Sequence, residues 1–265
     1  MSANNDSISK TLTVAILLCL VCSVIVAGAA VGLKDQQNLN KANDKKAAVL
    51  KAAGLYVEGS PVDEQFNQIS TRIVNLEAGR FASEAELQEI RDANLTVENF
   101  DQRKSAKMPE LSRTLSSEED EASIRRLEKF AAVYLVETAK GVETIVLPVH
   151  GYGLWSTLYG FLALEGDMET IVGLGFYSHA ETPGLGGEVD NPKWKALWEG
   201  KKLHDTSGDL AIEVVKGVAP QGDAHQIDGL SGATLTSRGV SNLVRFWVGD
   251  KAFGGLLKQL KGQGA

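Results

Sequence analysis

The chain has 265 residues, 43% hydrophobic and 23% charged, with a formal net charge of −7 at pH 7. That is enough for one substantial globular domain. The acidic balance, without a basic patch or an aromatic-basic stripe, excludes a nucleic-acid binder as the reading of choice.

In chain order, the first feature is an uncharged run from Leu12 to Leu33, bounded by Lys10 and Lys34. About 20 apolar residues at 1.5 Å rise cross a hydrocarbon layer of roughly 30 Å, so residues 12–33 are predicted as one membrane-spanning helix behind an N-terminal segment 1–11. Ala27-Gly28-Ala29 looks like a signal-peptide cleavage site. The run nevertheless exceeds the roughly 7–15 apolar residues of a signal core, and a retained helix is expected. Cys19 and Cys22, the only two cysteines, fall inside it at i, i+3 spacing; one such pair cannot complete a four-ligand site, and both read as packing residues. Beyond them the chain carries no thiol, which suits an oxidising compartment. Lys34, Lys41, Lys45 and Lys46 follow the helix and only Lys10 precedes it, so charge alone would leave the following domain in the cytoplasm.

Residues 34–128 read as a helical stalk and a polar insertion. Leu39, Ala42, Ala47, Leu50 and Ala53 share a helical face that ends at Gly54. Phe66, Ile69, Ile73 and Leu76, after Pro61, predict a second helix. Between Gly79 and Glu128 the chain is strongly polar, and the run Glu118-Glu119-Asp120-Glu121 is a solvated surface.

From residue 129 the pattern turns to β. Runs at Phe130–Val136, Val142–Val149, Trp155–Leu164, Thr170–Ser178 and Ala211–Val215 predict five strands, and Asn191-Pro192 sets a cap and first-turn proline for a short helix through Trp194 and Trp198. His150, His179, His204 and His225 show no metal-ligand spacing with carboxylates, and no metal is assigned.

The most informative stretch is Asp228-Gly-Leu-Ser-Gly-Ala-Thr-Leu-Thr236. Val240, Leu243, Val244, Trp247 and Val248 recur downstream at helical spacing, so a small-residue turn with two threonine hydroxyls opens an amphipathic helix. Unpaired N–H groups and the positive end of the helix dipole favour an anion there. In the plainer alternative Ser231 only caps the helix, and Gly229 and Gly232 only permit the turn.

Asp-Gly-Leu-Ser-Gly-Ala-Thr resembles the flavinylation signature of bacterial membrane redox proteins, in which the threonine after Gly-Ala carries FMN through a phosphodiester bond. Two further segments, Gly151-Tyr-Gly-Leu-Trp-Ser156 and Ser178-His-Ala-Glu-Thr-Pro-Gly-Leu-Gly186, are similar to the C-subunit family of the sodium-translocating NADH:quinone oxidoreductase. The resemblance runs over essentially the whole chain. It implies an α+β protein: one N-terminal transmembrane helix, then an FMN-binding domain (129–265) of mixed α/β character with a central, mostly antiparallel sheet. It implies covalent FMN on Thr234, attached by a separate flavin transferase that uses FAD, with Asp228 read by that transferase rather than acting as a base.

Around the attachment point it implies a turn of Ser231, Gly232 and Ala233, followed by Leu235 and Thr236. Leu154 and Trp155 would form an apolar wall for the isoalloxazine and the glycine turn Thr182-Pro183-Gly184-Leu185-Gly186 its polar edge, with His179 and Glu181 as further polar neighbours; Lys216 is either a balancing charge or a solvated strand-end lysine. The family setting implies an electron relay rather than substrate chemistry, other membrane subunits as partners, and a bacterial inner-membrane location with the large domain on the periplasmic side, against the charge reading. The alternatives are the equivalent flavoprotein subunit of a ferredoxin:NAD oxidoreductase complex and a non-redox, membrane-anchored assembly module.

Overall fold

The computed structural model describes residues 7–97, 100–139 and 141–263. The chain divides into two compact units, Met1–Asp44 and Lys45–Ala265. In the first, helix α1 (Ile8–Gly32) has no buried residue. It is long and apolar enough to cross a membrane, with a mean hydropathy of 2.9, and both cysteines are exposed on it. Helix α2 (Lys34–Ala52) follows. Its end matches the expected stop: Gly54 has φ +69°, and the Leu55 N–H closes on the Leu50 carbonyl at 2.8 Å.

The second unit is built on a six-stranded antiparallel sheet. In chain order its elements begin with α3 (Val62–Phe66), β1 (Ile69–Asn75), β2 (Arg80–Phe81), α4 (Glu84–Asp92), α5 (Gln102–Ser105), β3 (Ser112–Thr114) and β4 (Arg126–Glu128). They continue with β5 (Phe130–Thr138), β6 (Gly141–Tyr152), β7 (Thr157–Glu165), β8 (Ile171–Ser178) and α6 (Pro192–Lys195). The last are β9 (Glu213–Val214), β10 (Gln226–Ile227), α7 (Thr234–Val248) and α8 (Gly254–Gln263). The sheet order is β2-β1-β5-β6-β7-β8, and every adjacent pair is antiparallel.

Strand β5 shows why the apolar runs are unbroken. Ala131, Val133 and Leu135 enter the larger core with Leu243, Val244 and Trp247 of α7. Phe130 and Ala132 meet Ile90 and Phe100 on the opposite face, and Tyr134 meets Val49 and Leu50. Both faces are covered, so alternation gives way to continuous hydrophobicity.

Four expectations change. The pattern read as a helix over Phe66–Leu76 is a short helix ending at Phe66 followed by β1, which pairs with β5 from Ile69↔Val136 to Asn75↔Phe130. A spacing of four is even, so Ile69 and Ile73 also share one face of a strand, and the β-branched Ile, Thr and Val here favour extended backbone. The segment read as stalk and insertion therefore supplies two strands of the sheet, and the compact unit begins at Lys45 rather than at 129. The last predicted strand is only Glu213–Val214, which pairs in parallel with Gln226–Ile227 outside the main sheet. Strand β7 begins at Thr157, leaving Trp155 in the preceding turn. The short helix at Pro192 forms as expected, with the Asn191 side chain accepting the Lys193 N–H at 3.0 Å.

Candidate functional site

Helix α7 presents the motif. Its packing face includes Gly239, where an added Cβ would fall 2.4 Å from the Tyr152 carbonyl oxygen; only hydrogen fits, and the helix seats directly on the end of β6. Trp247 donates its indole N–H to the His150 carbonyl at 2.6 Å, and the Ser241 hydroxyl accepts the Val214 N–H at 2.7 Å. These contacts fix the N-terminus of α7 beside the turn after β6.

The turn into α7 runs Leu230 to Ala233. The Ala233 N–H bonds the Leu230 carbonyl at 3.1 Å, the Leu230 N–H is held by the Ser237 hydroxyl at 2.9 Å, and Gly232 takes φ +70°. Ala233, not Ser231, is the N-cap, and no side chain caps the helix. The first-turn N–H groups therefore lack both an intrahelical acceptor and a side-chain cap, and the first turn holds no acidic residue. Thr234 is the first helical residue and is exposed. Thr236 is 0% exposed.

Beside Thr234 lies a cleft of about 390 Å³, lined among others by Lys216, Gly229, Ser237, Arg238, Asn242 and Arg245. Lys216 is exposed just past β9. Arg238 lies four residues after Thr234 and shares its helix face. Arg245 spends its guanidinium on the Leu210 carbonyl at 2.9 Å. The sequence reading missed Arg238 and Asn242, although spacing of four and eight from Thr234 on a helix would have found both.

The large apolar side chains left exposed in the unit, among the described residues, are Val57, Tyr152, Leu154, Trp155, Leu185, Val218 and Leu235. All except Val57 and Val218 fall in the three segments singled out from the sequence. Trp155 is 67% exposed, an unusual cost for an indole on a domain that buries its other three tryptophans. Leu185 reaches over the turn: a Cβ on Gly232 would meet its Cδ2 at 2.9 Å. Thr182 and Gly184 are exposed in a tight turn, with Gly184 at φ +76° and the Thr182 carbonyl accepting the N–H groups of Leu185 and Gly187 at 3.1 and 2.9 Å.

Glu181 and Thr236 turn inward instead. The Thr236 hydroxyl donates to Glu181 Oε2 at 2.8 Å, and Glu181 Oε1 accepts the N–H groups of Leu154, Trp155 and Ser156 at 3.1, 3.0 and 3.1 Å. His179 is likewise engaged by its own loop: Nε2 meets Asp190 Oδ2 at 2.8 Å and Nδ1 accepts the Glu181 N–H at 3.2 Å. Asp228 accepts the Ala219 N–H at 2.8 Å, which makes it a turn-forming residue. Among the described residues no group of three or more His, Cys, Asp or Glu side chains could hold a metal ion.

The site thus offers an exposed first-turn hydroxyl, free N–H donors, two cations and exposed apolar side chains, which fits a ligand with an anionic group and a flat apolar body. Residues 153–249 match the family described as FMN-binding domain. The C-subunit of the Na(+)-translocating NADH-quinone reductase of Pseudomonas aeruginosa is 52% identical over 98% of both chains. Its counterpart from Vibrio campbellii is 47% identical over 100% of this chain and 99% of its own. The crystal structure of Shewanella oneidensis NqrC superposes with a TM-score of 0.74 at 37% identity, covering 84% of this chain and 99% of that one. With this identity over nearly its full length, the chain belongs to the C-subunit family of the Na(+)-translocating NADH-quinone reductases.

Proposed function

We propose that this protein is the FMN-carrying subunit of a sodium-translocating NADH:quinone reductase, bearing FMN as a phosphodiester on Thr234 and relaying electrons between other subunits. The observation that carries the reading is the exposed Thr234 hydroxyl at an uncapped helix N-terminus, beside a cleft lined by Lys216 and Arg238. Free N–H groups, the helix dipole and two cations all favour a phosphodiester at that point. The turn Ser231-Gly232-Ala233 brings the hydroxyl out. Leu154, Trp155, Leu185 and Leu235 give an apolar surface for the isoalloxazine, and Thr182 and Gly184 a polar edge.

A flavin held there supplies the redox chemistry, and the chain supplies position and electrostatics. Covalent attachment keeps the effective concentration of the cofactor high, in the millimolar range for short linkers. Attachment by a flavin transferase from FAD needs no base in this chain, which accords with the structural engagement of Asp228. Helix α1 anchors the protein in the bacterial inner membrane, with residues 1–11 cytoplasmic and the FMN-binding domain periplasmic. The Lys residues after α1 argue the other way. Large domains, however, translocate with little regard to such charge, and Asp35 and Asp44 are interleaved with those lysines.

The test is a mass measurement on the Thr234 peptide of the chain produced with its transferase, where FMN less one water is expected. Thr234→Ala should give a folded, colourless protein. Yellow colour surviving denaturation of that variant would overturn the assignment.

A further inference from the structure

One carboxylate joins the three segments around Thr234. Glu181 ties the turn 154–156 through three backbone N–H groups and the first turn of α7 through the Thr236 hydroxyl. Nothing larger than hydrogen fits beside it, since a Cβ on Gly186 would lie 2.6 Å from Thr236 Oγ1 and 2.7 Å from Glu181 Oε2. Glu181 is only 5% exposed. Burial by itself raises the carboxyl's pKa, and the hydrogen bonds from Trp155, Thr236, Leu154 and Ser156 outweigh it, so the group titrates below its ordinary range.

Its partners among the described residues are all neutral donors, the Ser156 hydroxyl at 3.5 Å included. Neutral donors spread a charge without cancelling it. A full negative charge is therefore fixed one peptide layer beneath a turn whose Leu154 and Trp155 side chains face outward. Electron addition to a flavin places negative charge on its N1 and carbonyl edge, and a fixed anion in a poorly hydrated surround opposes that.

We infer that Glu181 is a positioning residue that locks the 154–156 turn to helix α7 and, as a buried anion, holds down the reduction potential of the group carried on Thr234. The inference rests on the Thr234 reading and goes beyond it by assigning what sets the potential.

The experiment uses the full-length chain produced with its transferase. FMN on the Thr234 peptide is confirmed by mass, and the flavin midpoint potential is titrated at pH 8. Glu181→Gln keeps an oxygen for the three N–H groups and removes the charge, so the potential moves positive. Thr236→Val keeps the charge and removes the hydroxyl that shares it, so the potential moves negative, and Thr236→Ser restores the original value. A merely structural clasp would move Glu181→Gln and Thr236→Val in the same direction or not at all, and either result overturns the inference. Should Glu181→Gln not accumulate, the Thr236 pair carries the test alone. An unmodified Thr234 peptide in the starting protein overturns the Thr234 reading itself, whereas a modified peptide with unmoved potentials overturns only the role of Glu181.

Discussion

Two buried glutamates in one domain have opposite surroundings. Glu181 has a well-placed hydrogen-bond donor on each oxygen, whereas both carboxyl oxygens of Glu128, at the end of β4, are buried and meet no donor in good geometry among the described residues, with Gln102 giving only weak support. His150 Nε2 lies 3.7 Å from Glu128 Oε1. Around them, Gln102 Nε2 and Arg103 Nε and Nη2 are also buried with no hydrogen-bond partner in good geometry among the described residues, and the Arg103 guanidinium lies 3.4 Å from the Tyr159 ring centroid. Burial pushes the Glu128 carboxyl up to about 8. It pushes His150 down to about 3, with Arg103 adding to the effect. Burial is common to both carboxylates; whether donors meet them decides whether the charge survives.

The largest expected effect breaks the Glu128 side of the comparison. With a folded-state pKa raised from 4.5 to about 8, Glu128 stays protonated in the fold while the unfolded chain ionises. Its contribution is neutral below the unfolded value, becomes destabilising as pH rises through it, and is complete above the folded value. Glu128→Gln should therefore stabilise the protein by up to about 5 kcal/mol at pH 9 and by almost nothing at pH 4, measured by urea unfolding at both pH values. His150 works in the other direction: the unfolded chain takes up its proton below the ordinary histidine range, so stability declines as pH falls from there toward about 3.

Glu181→Ala should cost about 3 kcal/mol, because it strands several donors at once. Its pKa is depressed, so its stabilisation is present above the unfolded carboxylate value and is lost as pH falls through the folded one. Denaturant unfolding across pH 3–7 should show the variant and the parent converging at the acid end. The smallest effect sharpens the contrast with exposed charge. Arg238→Gln, on the solvated rim of the cleft, should alter unfolding of the unmodified chain by less than about 0.5 kcal/mol. It should also reduce the stability gained on flavin attachment by about 0.5–1 kcal/mol, read as a smaller Tm difference between modified and unmodified protein.

Much of this architecture was legible in the residues. The apolar run became α1, four of the five predicted strands entered the main sheet, and Asn191-Pro192 opened its helix. β1 was misread because Ile69 and Ile73 satisfy two periods at once, and only pairing with β5 chooses between them. The threonine motif and the exposed Trp155 were visible as a small-residue turn and an indole beside glycines. The inward turn of Glu181 and Thr236 was not, since it depends on the backbone space at Gly186 and on a partner 55 residues away in sequence. The burial of Glu128 left no sequence signal, because a lone glutamate before an apolar strand reads as solvated.

On the proposed Thr234 linkage, the sealing of the second threonine bears on the order of maturation. Two secondary alcohols, at 234 and 236, stand two residues apart, and an enzyme meeting the extended polypeptide would have to discriminate between near-identical nucleophiles by itself. Once α7 has docked, Thr236 is withdrawn under Glu181, and of the two threonines only Thr234 remains exposed. Under that proposal regioselectivity would come from the acceptor's own folding, and modification after folding would need no proofreading of which oxygen was used.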